Sequence, residues 1–458
     1  MKLLGLDIGT TSICAVVLDA ADGRIVFLET ESNRSGIPGS APWESLQDPD
    51  AAVRTARGIL DRALEAHRDI GGIGVAGQMH GVLYVDAAGN AASPLYTWQD
   101  GRGDLSFQGG TYASFVSAGL GWPVSTGMGV VTHFANLKKG LVPRSAASLC
   151  TIGDYLVMKL SGRRAPLMDS TSAASLGSLE LESLEFARKA LQAIGCDPSI
   201  FPELTRSYAA LGEIRHGIPV FPAFGDNQAS FLGSVADAER MALVNVGTGS
   251  QISLFVSDFR RIDGIDMRPL PFGGYLGVGA GLCGGRAYAA LRDFFRRTVR
   301  FMTGRDQEIP WDLMNAMSPP SQEEGPLRVD TRFSGTRLSP GIRGSIQNIG
   351  LSNFTPEHLA SGVREGVVSE LLGFYNLFAQ AERTRVDTLV GSGNAIRLNP
   401  ALRRAFEAGF QVPLHVPRYR EETSFGAALV AGVASGVIAD RGAAGALVGY
   451  EPAQSAAM

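Results

Sequence analysis

From Leu3 to Leu18 the chain reads LLGLDIGTTSICAVVL, an apolar run broken by Asp7-Ile8-Gly9-Thr10-Thr11-Ser12 and then resumed. That pattern predicts a strand, a tight turn and a second strand. It returns half a chain later, where Leu243 to Phe255 reads LVNVGTGSQISLF. A repeat at that spacing predicts two related domains, 1–235 and 236–458, each offering a polar hairpin to a shared cleft. Between the hairpins, helical periodicity marks 50–67, 132–140, 149–160 and 181–194. A strand is expected over 70–78, a loop over 168–175, and a helix of small residues over 228–233. In the second half, helices are expected over 286–297, 357–381 and 423–436, irregular structure over 317–350, and a buried strand over 386–390.

The turns are more polar than chain reversal requires. Glycine lets the backbone approach a bulky anion, and successive N–H groups with neighbouring hydroxyls form a donor-rich concavity suited to phosphate. Asp7 adds a carboxylate at the lip of the first hairpin, where hydrated Mg²⁺ could bridge to a nucleotide phosphate. Asn245 stands at the matching place in the second, so the metal-facing role is expected to be one-sided. The other reading of either hairpin alone is an ordinary Gly-Thr turn.

Further along, the strand GGIGVAGQ runs into Gln78-Met79-His80-Gly81, and PLYTWQDGR places Trp98, Gln99, Asp100 and Arg102 beside a glycine turn. An indole for the C–H face of a sugar, with polar groups for its hydroxyls, makes a polyol pocket. Taken singly, Trp98 fills a core and Asp100 pairs with Arg102. Pro222 to Ser230 (PAFGDNQAS) sets Asp226 after a glycine at the start of a helix. A carboxylate so held suits a general base that takes a hydroxyl proton during phosphoryl transfer. It equally suits a helix N-cap. Gly391-Ser392-Gly393-Asn394 follows a buried strand and could receive an adenosine. Gly279 to Gly284 matches G-x-G-x-x-G, but no acid stands at the distance a dinucleotide site needs, so it is read as close helix packing. The GxxxxGK[ST] pattern is absent, which excludes P-loop chemistry.

Composition narrows the class. At 458 residues the chain fits two domains, with 45% hydrophobic and 19% charged residues. A net charge of −4 gives no basic footprint for nucleic acid. Cys14, Cys150, Cys196 and Cys283 lack metal or redox spacing and are expected as buried, reduced thiols. No signal peptide or membrane span is read, and the expected location is cytoplasmic.

Together DIGTTS, NVGTGS, GDNQ and GSGN, in that order along the whole chain, resemble the FGGY carbohydrate kinases. The resemblance implies an α/β, two-domain actin-like ATPase (ribonuclease H-like) fold with a central nucleotide/sugar cleft. GQMHG is similar to the family's ketose-kinase substrate motif, and SFGAALVAG to its C-terminal helix. TWQDGR is most similar to the sedoheptulokinases, with the xylulokinases next. By this resemblance Asp226 is the catalytic base, and Asp7, with Asp226 through water, orients Mg²⁺. Thr10, Thr11, Ser12, Gly247 and Thr248 contact ATP phosphates, and Gly391, Gly393 and Asn394 contact adenosine. Gln78, His80, Trp98, Asp100, Arg102, Asp226 and Asn227 shape the sugar pocket. Sugar and ATP are the expected partners of a monomer or homodimer, with no nucleic acid or membrane. Two rival readings stand beside this one. The first is an actin-like ATPase that gates a partner protein, and the second is a kinase relic that senses sugar without catalysis.

Overall fold

The computed structural model describes residues 1–319, 325–336, 339, 341–382 and 385–452. These form two compact units. The first comprises Met1–Ala236, Arg268–Tyr275 and Tyr419–Gly449, and the second Asp237–Met267, Leu276–Arg418 and the residues from Tyr450 on. The two halves of the sequence therefore coincide only in part with the two units.

The first unit is built on a seven-stranded sheet. Its strands are β1 (Lys2–Ile8), β2 (Ser12–Asp19), β3 (Ile25–Ser32) and β4 (Ile70–Gly77), followed by β5 (Gly212–Ile214), β6 (Ile218–Val220) and β7 (Phe224–Gly225). The order is β5-β6-β4-β1-β2-β3, with β7 also paired to β4. β1 and β2 form the antiparallel hairpin, Ile8 opposite Ile13, while β4 runs parallel to β1 and β7 parallel to β4. A parallel strand needs a crossover, and helix α1 (Pro49–Ala66) supplies the one between β3 and β4. Asp48 caps it, accepting from the N–H groups of Asp50 and Ala51, and Pro49 stands in the first turn, where a missing N–H costs nothing. Its buried stripe of Ala52, Val53, Ala56, Ile59, Leu60, Ala63 and Leu64 packs with Leu4, Leu6 and Ile8 of β1 in one core.

Further along, α2 (Ile152–Ser161) starts from a capping box, and α3 (Ser170–Ser175) is capped by Asp169. The expected loop over 168–175 is thus a short strand and a helix, because the Asp169 carboxylate accepts from the Thr171 N–H and nucleates a turn. The helix expected over 181–194 covers only Arg188–Ala193. Leu179–Glu180 and Glu185–Phe186 pair instead as a small hairpin, turning through Leu184 at φ 54°. α4 (Asp226–Ser234) follows β7.

The second unit repeats the plan. β8 (Met241–Val246) and β9 (Ser250–Val256) form its hairpin. β10 (Asp266–Pro269), β11 (Tyr275–Gly281), β12 (Thr388–Ser392) and β13 (Leu414–His415) complete a six-stranded sheet ordered β10-β11-β9-β8-β12-β13, although Arg268 and Pro269 at the end of β10 and Tyr275 at the start of β11 group with the first unit. β12 runs parallel to β8, as β4 does to β1. Helices α5 (Gly285–Thr303), α6 (Pro356–Glu382), α7 (Asn394–Leu398) and α8 (Pro400–Phe410) belong here. The stretch expected to be irregular, 317–350, lies partly outside the described residues.

Helix α9 (Glu422–Ala434) packs within the first unit, against β1, β4 and α4. Small residues set the distance. A Cβ on Gly426 would fall 1.9 Å from the Ala229 carbonyl, and one on Gly233 2.0 Å from the Glu422 carbonyl. Two helix backbones approach this closely only where both carry glycine. The four cysteines are buried and unbridged. Among the described residues no helix is long and apolar enough to cross a membrane.

Candidate active site

In an open α/β sheet, ligands gather beyond the carboxyl ends of the parallel strands. In the first unit those ends belong to β1, β4 and β7, which are followed respectively by the first hairpin, by Gln78 and by Asp226. The register fixes their spacing: Ile8 pairs with Gly77, and Gly77 with Gly225.

The first hairpin turns through four residues, closed by a bond from the Gly9 N–H to the Ser12 carbonyl at 3.0 Å. Thr10 points at the end of β4, its Oγ1 donating to Gln78 Oε1 at 3.1 Å while accepting from Trp98 Nε1 at 3.0 Å. Gln47 completes the lattice. Its amide accepts from Gln78 Nε2 at 2.9 Å and donates to the Thr10 carbonyl at 2.9 Å. Trp98 remains 47% exposed, leaving indole surface to solvent. Thr11 is exposed and Ser12 half-buried.

Asp7 lies close enough to Asp226 to feel its charge. Asp7 is held well above the usual carboxylate range by burial first and by Asp226 second. Its Oδ1 is sealed from solvent and has no hydrogen-bond partner. Burial pushes Asp226 up to about 6, against the opposing pull of the Asn227 N–H and then of the Arg268 guanidinium. Gly225, not Asp226, is the N-cap of α4, and the helix start has no side-chain cap bond. The Asp226 carboxylate is therefore not spent as a cap. Asn227 accepts from Arg268 Nη1 at 2.9 Å.

His80 lies just beyond β4 with φ 72°. Its N–H donates to Ser175 Oγ at 3.2 Å, and its Nδ1 stands 2.8 Å from the Ser175 carbonyl. A carbonyl only accepts, so the proton is assigned to Nδ1, which makes Nε2 an acceptor.

Asp100 and Arg102 occupy different ground. They are 0% and 1% exposed. Arg102 donates to both Asp100 oxygens, at 2.6 and 3.0 Å, and to Asn136 Oδ1. It also stacks on the rings of Tyr96 and Trp43 at 4.2 and 5.4 Å. Asp100 Oδ2 takes the Ser45 N–H as well. The pair holds the segment carrying Trp98 from behind and presents no donor to a ligand. Asp154 accepts from the Thr151 N–H and hydroxyl in the capping box of α2.

In the second unit, the hairpin turns through three residues, with the Gly247 N–H bonded to the Gly249 carbonyl at 3.0 Å. Gly247 and Thr248 are exposed. The start of α5 braces the turn, through Gly285 N–H to the Gly247 carbonyl at 2.8 Å and Arg286 N–H to the Thr248 carbonyl at 3.1 Å. The G-x-G-x-x-G stretch thus ends in packing against this hairpin. Gly391 and Gly393 close β12, beside Asn245 in register with Ser392. Gly393 has φ 84°, and a Cβ there would fall 2.6 Å from the Val246 carbonyl, so only glycine fits between the two loops. Asn394, exposed, opens α7. The unit also holds a cavity of about 920 Å³ lined in part by Asp330, Arg332, Glu370 and Phe374, and none of the hairpin or GSGN residues lines it.

Residues 2–233 match the N-terminal domain, and residues 242–435 the C-terminal domain, of the FGGY family of carbohydrate kinases. The chain belongs to that family. As an FGGY kinase it is an ATP-dependent sugar kinase, with sugar and ATP as its small-molecule substrates. It is 29% identical over 475 residues to the sedoheptulokinase of Mus musculus, covering 93% of this chain and 96% of that protein. The Homo sapiens sedoheptulokinase is 28% identical over 470 residues, with 93% and 96% covered. Among solved structures, the xylulose kinase from Rhodospirillum rubrum superposes with a TM-score of 0.80 at 20% identity, covering 99% of this FGGY kinase and 93% of that chain. The Plasmodium falciparum glycerol kinase with ADP gives 0.77 at 16% identity, covering 95% and 90%. These likenesses give the two-domain actin-like fold.

Two residues of the first unit's site, Gln47 and Arg268, were not foreseen. Gln47 lies in a Ser/Pro/Gly-rich loop, and Arg268 forty-two residues past Asp226 in a segment with no motif. No local pattern marks either.

Proposed function

We propose that this kinase moves the γ-phosphoryl group of ATP to a terminal hydroxyl of a ketose, sedoheptulose giving sedoheptulose 7-phosphate, with Asp226 as general base. The observation that carries the reading is the state of Asp226. It is half-buried at the carboxyl end of the sheet, uncommitted as a cap, beside Asp7, and its pKa is raised to about 6. A base works best when its pKa lies near the working pH.

Gln78, His80, Trp98 and Asn227 orient the sugar, with Asp100 and Arg102 shaping the pocket from behind. Asp226 accepts the hydroxyl proton as the O–H bond breaks. The sugar oxygen forms its bond to the γ-phosphorus, and the bond to the β–γ bridging oxygen breaks, leaving with its electron pair on ADP. Thr10, Thr11 and Ser12 with the first hairpin's N–H groups, and Gly247 and Thr248 in the second unit, bind the phosphates. Gly391, Gly393 and Asn394 bind adenosine. Asp7 fits Mg²⁺, because its sealed and unpartnered Oδ1 is the hard oxygen donor that cation takes, and Asp226 would reach it through water. Bound Mg²⁺ supplies charge neutralisation for the triphosphate. The choice of sedoheptulose is supported by the mouse and human relatives and by TWQDGR. On this reading the protein acts in the cytoplasm as a monomer or homodimer.

Asp226→Asn tests the assignment. Turnover should fall by about 10²–10⁴-fold while calorimetry still registers sugar binding. An Asn variant as fast as the wild type sinks the base assignment.

A further inference from the structure

We propose that the cavity of the second unit is a binding site for a small organic cation, an amine or guanidinium on an apolar frame, held by Glu370 and Phe374. The site stands apart from the reading of Asp226 as base, because none of the described residues given a role in phosphoryl transfer lines it.

The cavity measures about 920 Å³, within the range of about 300–1,000 Å³ that encloses a small ligand. One wall is a face of α6, where Gly366, Glu370, Gly373 and Phe374 recur at helical spacing. A second is β11, through Val278 and Ala280, and a third is the strand pair Arg328–Asp330 and Ser345–Gln347. Glycines of the G-x-G-x-x-G stretch set the fit between the first two walls. A Cβ on Gly279 would fall 2.5 Å from Phe374 Cγ, and one on Gly281 2.6 Å from Glu370 Oε2. These two glycines leave the room in which an aromatic ring and a carboxylate stand one helical turn apart on the same face. Gly373 extends that room. Glycine weakens the middle of a helix, yet among the described residues nothing stands within 4 Å of where its Cβ would be. Close packing does not call for a glycine there, and the space it leaves can take a ligand.

The polar groups decide the class of ligand. Among the described residues, carboxylates outnumber guanidiniums on the walls, Asp266, Asp330, Glu365 and Glu370 against Arg328 and Arg332. Arg332 is spent on Asp330, its Nε donating to the two oxygens at 2.9 and 3.1 Å and its Nη2 to Oδ2 at 2.6 Å. Glu365 accepts the Ser361 hydroxyl at 2.8 Å. Glu370 Oε2 and the hydroxyl of Thr331, a wall residue only 1% exposed, have no hydrogen-bond partner among the described residues. Burial raises the Glu370 pKa, with Arg332 opposing and Asp330 adding to the rise. A carboxylate left without a partner repels anions and gains most from a positively charged donor. Inorganic ions fit poorly, since among the described residues no group of three or more His, Cys, Asp or Glu is placed to hold a metal. The half-buried Phe374 ring beside the acid favours an organic cation, whose N–H groups meet the carboxylate while its charge or methylenes meet the ring.

Calorimetry on the full-length protein tests this with 1,5-diaminopentane and agmatine, beside 1,5-pentanediol and glutarate, chains of similar length without a positive charge. The two cations should bind the wild type, and the diol and the dianion should not. Glu370→Gln keeps the shape and removes the charge, and should weaken the cations by about tenfold. Phe374→Leu should weaken them by about threefold. Gly373→Trp fills the open space and should abolish binding; should it fail to fold, the other two variants decide. Asp7→Asn and Asp226→Asn should bind the amines as the wild type does. Binding lost in those two and kept in Glu370→Gln would put the amine at the first unit's acids and overturn the inference. Silence from both cations at millimolar concentration, equal binding of the diol, or cation affinities untouched by Glu370→Gln would also overturn it.

Discussion

In the first hairpin Asp7 faces Cys14 across the strand pair, and in the second Asn245 faces Gln251. The strands around them repeat: an antiparallel partner on one side and a parallel strand on the other. Their chemical states differ. Asn245 Nδ2 donates to Ser392 Oγ at 2.7 Å and is satisfied by its own unit. Asp7 keeps an oxygen sealed and unpartnered, with Asp226 as its charged neighbour. An unmet buried acceptor costs about 1–3 kcal/mol, a cost that a cation or proton removes on arrival. One hairpin's residue is therefore satisfied within its own unit, and the other's keeps an unmet acceptor. The turns differ too, with four residues in the first and three in the second, so Ser12 is half-buried while Ser250 is buried.

Exchanging the two residues breaks the comparison most directly. Asp7→Asn gives the first hairpin the chemistry of the second and should lower kcat/KM for Mg·ATP by about 10–100-fold, with sugar affinity kept. A Mg²⁺ titration curve identical to wild type would contradict the assignment. Asn245→Asp should act more weakly, because the Ser392 hydroxyl can turn to donate to the new carboxylate. We expect KM for ATP to rise by about tenfold, a loss of roughly 1.4 kcal/mol, with KM for the sugar unmoved. Equal damage from both changes would mean the hairpins are equivalent.

Asp154 sharpens the same contrast, because it too has a sealed, unpartnered oxygen yet belongs to a capping box. Burial pushes it up to about 7, against the Thr151 hydrogen bonds, with Asp169 adding to the rise. A carboxyl whose folded pKa lies above its unfolded value of about 3.9 binds more protons in the folded state. Its contribution to stability is complete below pH 4 and is lost as pH rises through 7. Asp154→Asn should flatten this slope, so the mutant-minus-wild-type melting temperature increases from pH 4 to pH 8, with kcat unchanged. A collapse of kcat would place Asp154 in the reaction.

The hairpins, the order of the motifs and the position of Asp226 at a helix start were legible because each is a local pattern. A strand, a Gly-Thr turn and a second strand can be read from a dozen consecutive residues. The lattice that fixes them was not. Gln47 reaches Thr10 and Gln78 across thirty-odd positions each way, and Arg268 reaches Asn227 across forty-one. Those meetings are set by sheet order. Asp100 and Arg102 show the opposite difficulty: their spacing reads equally as a sugar clamp or as an ion pair, and burial alone separates the two. The 181–194 segment has helical periodicity in its sequence, but its first part is taken by a hairpin.

The most direct test is ADP release from the purified protein in Mg·ATP across sedoheptulose, xylulose, ribulose, fructose and glycerol, beside a blank without sugar. The account predicts turnover that requires sugar and is fastest with sedoheptulose. A different preferred polyol would correct the substrate and leave the mechanism standing. Equal ADP release in the blank would contradict the account, making the chain an ATPase and the Gln78–Trp98 lattice no more than packing.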